Sequence, residues 1–123
     1  MINLERSLLC TVLENDFINR DKRISDFNLD EIYFFFEQHK FLIRGMKRLK
    51  ELNEPVGTDI LRYKIQKANK WSNQTFSNFV SLDECLSSII SATPFTYDLF
   101  IRYYDVLKKD YEDSLKTKEL FYI

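Results

Sequence analysis

Only four of the 123 residues are glycine or proline: Gly45, Pro55, Gly57 and Pro94. Average usage would supply about fifteen. Tight turns and left-handed backbone positions are built mainly from these residue types, so a sandwich, a barrel or an α/β nucleotide fold is disfavoured. Gly45 and Gly57 stand apart, which excludes both the phosphate-cradling P-loop and the dinucleotide fingerprint. An all-α fold is what remains. A chain of this length is expected to form one domain and to bury about two-thirds of its unfolded surface, enough for a core without metal or disulfide help.

Eighteen Lys and Arg oppose nineteen Asp and Glu, so the formal net charge is −1 and no global field draws the chain to nucleic acid. The charge is uneven, however. Residues 40–70 hold nine bases and three acids, whereas the rest of the chain is acidic. Cys10 and Cys85 lie among apolar residues and read as small buried hydrophobes rather than a disulfide framework. No apolar run approaches the roughly 18 residues of a membrane span. The N-terminus lacks the basic region and apolar length of a signal peptide, so a soluble cytoplasmic protein is the default expectation.

Apolar spacing predicts about six helices in a single domain, residues 1–123. Asn3 is positioned to cap a first helix carrying Leu4, Leu8, Leu9, Val12 and Leu13 on one face. Phe17, Ile18, Ile24 and Phe27 are expected to point inward in a weakly periodic piece. Asn28 and Glu31 have capping-box spacing and open the longest pattern, a stripe from Ile32 to Leu49 stopped at Asn53-Glu54-Pro55. Thr58 is a cap candidate for a helix with Ile60, Leu61 and Ile65. Residues 67–74 read as an exposed polar loop, with a short helical piece around Phe76, Phe79 and Val80 after it. Ser81 and Glu84 form a second capping-box pair ahead of Leu82, Cys85, Leu86, Ile89 and Ile90. After the break at Ala92-Thr93-Pro94, a long final helix spans about 97–118, leaving a globular part of about 3–95. Gly45 is the one member of the scarce set inside a helix, where a close approach by another helix would account for it.

Residue chemistry points away from catalysis. His39, the only histidine, lies on an apolar stripe with no companion ligands, and reads as a satisfied, partly buried side chain rather than a metal ligand. Neither cysteine has the local signature of a nucleophile. Carboxylate pairs such as Glu31 with Glu37, or Asp110 with Glu112 and Asp113, are what solvated helix faces ordinarily produce. No enzyme activity, cofactor or metal is expected. The surface candidates are Lys40, Arg44, Lys47 and Arg48, which share one helix face and are followed by Arg62, Lys64, Lys67 and Lys70. A solvated polar face is the plainer reading; a dock for an acidic partner or a phosphate backbone is the alternative, with Trp71 and Phe76 beside it as anchors. Tyr97, Tyr103, Tyr104 and Tyr111 supply amphipathic contact area, to close this chain's own core or to pack on another chain.

The order of these features resembles the N-terminal domain of DnaB-type replicative helicases. Asn3-Leu4-Glu5-Arg6-Ser7-Leu8-Leu9-Cys10 is similar to that domain's opening, Asn-x-Glu-x-[Glu]-x-[Ala/Ser]-x-Leu and a small residue. Phe34-Phe35-Phe36-Glu37-Gln38-His39 followed by Leu42-Ile43 is similar to its Phe-Tyr-x-x-x-His and apolar pair. Asn53-Glu54-Pro55-Val56-Gly57 resembles its Gly-x-Pro-Val-Asp turn, with glycine in place of the acid. Ala92-Thr93-Pro94 resembles its Asn-Thr-Pro break, with Tyr103 or Tyr104 matching a later tyrosine.

The resemblance covers residues 3 to about 104. It implies a helical domain without chemistry, one that in the family forms the collar of the helicase ring and receives primase and, in some systems, the loader. The chain reaches Ile123, at about the first arm of the collar hairpin, and holds no ATPase motor. The expected function is therefore a non-catalytic protein–protein interaction domain of the replicative primosome. Its expected partners are replicative helicase, primase or both, with the loader as a further candidate. Monomer and weak homodimer both stay open, as does direct nucleic-acid binding; no membrane association is expected. Two alternatives accompany this reading. One is the helicase-binding domain at the C-terminus of a bacterial primase, which has a similar fold. The other is a small phage- or plasmid-type regulator that uses the basic face. Lys40, Arg44, Lys47, Arg48, Trp71, Tyr104 and Tyr111 are the partner-binding candidates.

Overall fold

Helix α1 (Ile2–Leu13) is enclosed on nearly every side, with Leu8, Leu9, Cys10, Val12 and Leu13 all buried and Glu5, Ser7 and Thr11 buried beside them. A helix enclosed this way is the centre of its fold rather than a lid on it. The computed structural model describes residues 1–121, and the other elements are arranged around α1. They are α2 (Lys22–Ser25), a 3₁₀ turn (Glu31–Tyr33), α3 (Glu37–Glu51), α4 (Thr58–Ala68), α5 (Leu82–Ile90) and α6 (Tyr97–Phe121). Six α-helices and no strand are present among the described residues. Helices α2, α5 and α6 pack on α1, whereas α4 packs on α3, and the 3₁₀ turn bridges α3 and α6. The core is continuous: Leu42, Met46 and Leu49 of α3, Leu61 and Ile65 of α4, Leu86 and Ile89 of α5, and Phe100, Tyr104 and Leu107 of α6 join it. From Glu112 to Leu120 the side chains of α6 are exposed.

Helix ends show how a glycine-poor chain closes its helices. At the end of α3, Asn53 takes a left-handed φ of 57°. The amide of Glu54 donates to Leu49 at 2.9 Å and that of Asn53 to Lys50 at 3.0 Å, the paired bonds of a Schellman motif. Asn69 repeats this after α4, with φ 48° and bonds from Lys70 to Ile65 (3.2 Å) and from Asn69 to Gln66 (3.1 Å). Asparagine tolerates the left-handed region better than other residues with a Cβ, so it stands in for the missing glycines. Gly45 has the reason expected of it. A Cβ there would lie 2.9 Å from Cδ1 of Leu61, so a methyl group at this crossing of α3 and α4 would force the Leu61 side chain to shift.

Several local expectations are corrected. The Ile32–Leu49 stripe is two elements, because the chain runs extended through Phe34–Phe36 before α3 starts at Glu37. Asp30 rather than Asn28 caps the 3₁₀ turn, its carboxylate accepting from Ile32 N at 3.0 Å. Neither Asn3 nor Thr58 supplies a cap: α1 starts from Met1 and α4 from Gly57, without side-chain cap bonds. Residues 76–80 are not helical. Phe17, Ile18 and Ile90 are exposed instead of inward. For the first two, the cause is a polar pin. Buried Asn15 donates to Asp21 O (2.9 Å) and Ser25 Oγ (2.7 Å) and accepts from Asp21 N (3.2 Å), so the loop is held by amide chemistry and its apolar side chains splay outward.

Candidate interaction surfaces

The basic side chains of α3 share a face, as their spacing implies, but most of them are engaged. Lys40 is half-buried and donates through Nζ to the carbonyl of Glu31 at 3.1 Å. Arg44 pairs with the carboxylate of Glu31 (3.1 Å) and Arg48 with Glu51 (3.1 Å). In α4, Arg62 lies between Asp59 (3.4 Å) and Asp83 (3.3 Å), and Lys64 meets Glu54 at 3.2 Å. Lys47 has no carboxylate partner among the described residues. Such exposed pairs contribute little stability, but they divide the local positive excess into neutral couples. Three of the acids, Glu31, Glu51 and Glu54, are close in sequence to the α3 bases; Asp83 is reached only through the fold.

The aromatic candidates turn inward. Trp71 is only 6% exposed; its Nε1 donates to Val80 O at 2.9 Å, and its ring packs against Phe41 and Phe76. It is a core residue closing the 69–80 segment over α3, so the surface anchor expected of it is not offered to solvent. Tyr104 is buried edge-on against Phe27 and Tyr33, and its hydroxyl accepts from Asp30 N at 3.0 Å. Burial is the main reason its phenol sits above the ordinary value. Tyr111 is half-buried, its ring 5.6 Å from that of Tyr33, where Lys108 also reaches. Both tyrosines thus serve intramolecular packing of α6.

The most organised polar constellation was not foreseen. Glu5, with no solvent exposure, projects from α1 to the start of α3. Its Oε2 accepts from Phe35 N at 2.8 Å, and its Oε1 lies 2.8 Å from His39 Nδ1 and 3.4 Å from Phe36 N. The carboxylate therefore pins the extended residues just ahead of α3 to α1, near the end of the helix where negative charge is favoured. His39 is satisfied and buried, as its place on the apolar stripe implied. One signal for Glu5 was present: it shares a helix face with Leu9 and Val12, an acid on a buried stripe. Among the described residues there is no group of three or more His, Cys, Asp or Glu suited to hold a metal ion. Burial pushes the Cys85 thiol up to about 11, and the Cys10 thiol is raised chiefly by the same cause. No helix of the described residues is long and apolar enough to cross a membrane.

Among the exposed apolar side chains, two groups lie beside grooves. Phe35 and Phe79 project beside a groove between the start of α1 and the 77–80 segment. That segment is tethered by Glu37, which accepts from Ser77 N at 2.8 Å. Phe17, Ile18 and Ile90 project at the opposite end of α1. No family model, no curated protein and no solved structure matches the chain.

Proposed function

We propose that this chain is a non-catalytic protein–protein interaction domain of the replicative primosome, of the kind that forms the collar of DnaB-type helicases and receives primase or loader. What supports the reading most is the convergence on α1 of the four segments that carry the resemblance. Glu5, in the opening motif, bonds Phe35 and His39 of the second. Thr11 accepts from Phe95 N at 2.9 Å, and the Cys10 thiol donates to Ala92 O at 3.6 Å, which ties in the Thr-Pro break. The Pro-Val turn arrives at the other end, where a Cβ on Gly57 would lie 3.8 Å from the carbonyl of Leu13. Segments far apart in sequence thus act as one structural unit, rather than as unrelated caps and breaks.

In this role the domain would work by helix-face docking, with apolar anchors providing affinity and flanking charges providing rate and specificity. The exposed turns of α6 after Tyr111 give a partner or a second copy an arm to pair with. Direct nucleic-acid binding is the weaker reading, because Arg44, Arg48, Arg62 and Lys64 each have a carboxylate within 3.4 Å. Co-purification with the replicative helicase and primase of the source organism is the test. Recovery of either at stoichiometric level is the expected result; recovery of neither refutes the proposal. Steeply salt-dependent DNA binding, lost on Lys47→Glu with Arg48→Glu, would favour the regulator reading instead.

A further inference from the structure

A shallow groove runs between the end of α1, the loop that follows it, the start of α4 and the end of α5. Its floor is apolar, formed by Phe17, Ile18, Val56, Ile60 and Ile90, of which Phe17 is 76% exposed, Ile18 49% and Ile90 40%. Three carboxylates, Glu14, Asp16 and Asp59, stand around it, and no lysine or arginine lines it. Arg20 donates through Nε to the carbonyl of Asp16 at 3.1 Å, and Arg62 pairs with Asp59 at 3.4 Å, so Glu14 and Asp16 are the rim carboxylates without a basic partner among the described residues. The Glu14 carboxyl is held above its ordinary value by burial and then by the negative charge of Asp59, so the rim repels itself.

We propose that this groove docks a short segment of another protein carrying a bulky apolar side chain flanked by lysine or arginine. An exposed aromatic beside branched apolar side chains is the composition of an interface anchor, and burial of Phe17 and Ile18 would supply affinity. The carboxylate rim selects the partner's charge: a cation relieves the repulsion among Glu14, Asp16 and Asp59, whereas an acidic segment increases it. A second copy of this chain fits less well. Its own basic face has Arg44 and Arg48 already paired with Glu31 and Glu51. The inference rests on this groove alone and does not depend on the primosome reading.

The test uses the full chain, isotopically labelled, titrated with a synthetic peptide of about twelve residues. The peptide carries leucine and phenylalanine one helical turn apart and lysine and arginine between them. A control peptide has glutamate at every basic position. Saturable amide shifts are expected at Phe17, Ile18, Val56, Ile60 and Ile90, weakening as salt is raised, with none from the control. Phe17→Ser should weaken binding about tenfold or more. Asp16→Lys with Asp59→Lys should do the same and remove the salt dependence. Phe17, Asp16 and Asp59 are all exposed, so the far-ultraviolet circular dichroism of both variants should match wild type; should one misfold, the other decides. Shifts spread over the whole surface, or wild-type affinity in a folded variant, would overturn the proposal. A doubled mass by light scattering that Phe17→Ser abolishes would also overturn it, by assigning the groove to a second copy.

Discussion

Replacing Glu5 with alanine should be among the most damaging single changes available to this protein. The side chain removed is an acceptor for three donors from α3 and the turn before it: Phe35 N, Phe36 N and His39 Nδ1. Its carboxylate is fully buried, so the donors it leaves behind are shielded from bulk solvent. Leaving a buried donor unpaired costs about 1–3 kcal/mol, and breaking a buried pair by deleting one partner costs about 3–5 kcal/mol. The two ranges meet at about 3 kcal/mol, a large share of the roughly 5–15 kcal/mol that holds a domain together. His39→Ala removes only one of the three bonds and leaves the carboxylate bonded to Phe35 and Phe36, so it should cost about half as much. Urea unfolding followed at 222 nm measures both changes. The double variant should lose less than the sum of the singles, because His39 has no acceptor to lose once Glu5 is gone. Hydrogen exchange adds a local readout: Phe35 N–H should lose protection in Glu5→Ala before the core does. A cost below about 1 kcal/mol for Glu5→Ala, or strict additivity with His39→Ala, would refute this role of Glu5.

The cysteines and the asparagine caps give two further expectations. With its thiol pushed up to about 11, Cys85 should be almost inert to a disulfide reagent at pH 8 in the native state and react at once in denaturant. Because the folded value lies above the unfolded one, this group's contribution to stability is complete below about pH 9 and is lost as pH rises toward 11. Rapid native labelling at pH 8 would contradict this burial. At Asn53 and Asn69, alanine should destabilise by about 1–2 kcal/mol each, whereas glycine should match or exceed the wild type. Equal urea midpoints for the alanine and glycine variants would show that left-handed geometry is not what these positions demand.

At α5 the governing interaction is local, and the sequence pattern was enough to place it. Ser81 accepts from Glu84 N at 3.1 Å as the capping-box spacing implies, and Leu82, Cys85, Leu86 and Ile89 face the core. Several failures involve a distant partner, although the caps expected of Asn3, Asn28 and Thr58 are local and do not form. The extended residues ahead of α3 are held by Glu5, thirty positions upstream of Phe35, which no local pattern at residues 28–37 encodes. Trp71 sits in a polar stretch, yet its indole is drawn inward by Val80 O and by the rings of Phe41 and Phe76. The basic face was legible as a face, but Asp83, a partner of Arg62, belongs to another helix. The Phe17 groove was obscured because apolar content alone implied burial, whereas the pin at Asn15 turns those side chains outward.

The central position of α1 has a consequence for how the protein is made. Within the domain this helix is made well before two of the helices that enclose it, α5 and α6, which begin at residues 82 and 97. At about 5–20 residues per second, roughly 5–20 s pass before Phe100, Tyr104 and Leu107 have been added to the chain. Throughout that interval Leu8, Leu9, Val12 and Leu13 lack the part of their native cover that α5 and α6 supply. The domain therefore cannot fold from its N-terminus outward as it emerges, and any slowing of translation late in the message prolongs the exposure of its most enclosed helix.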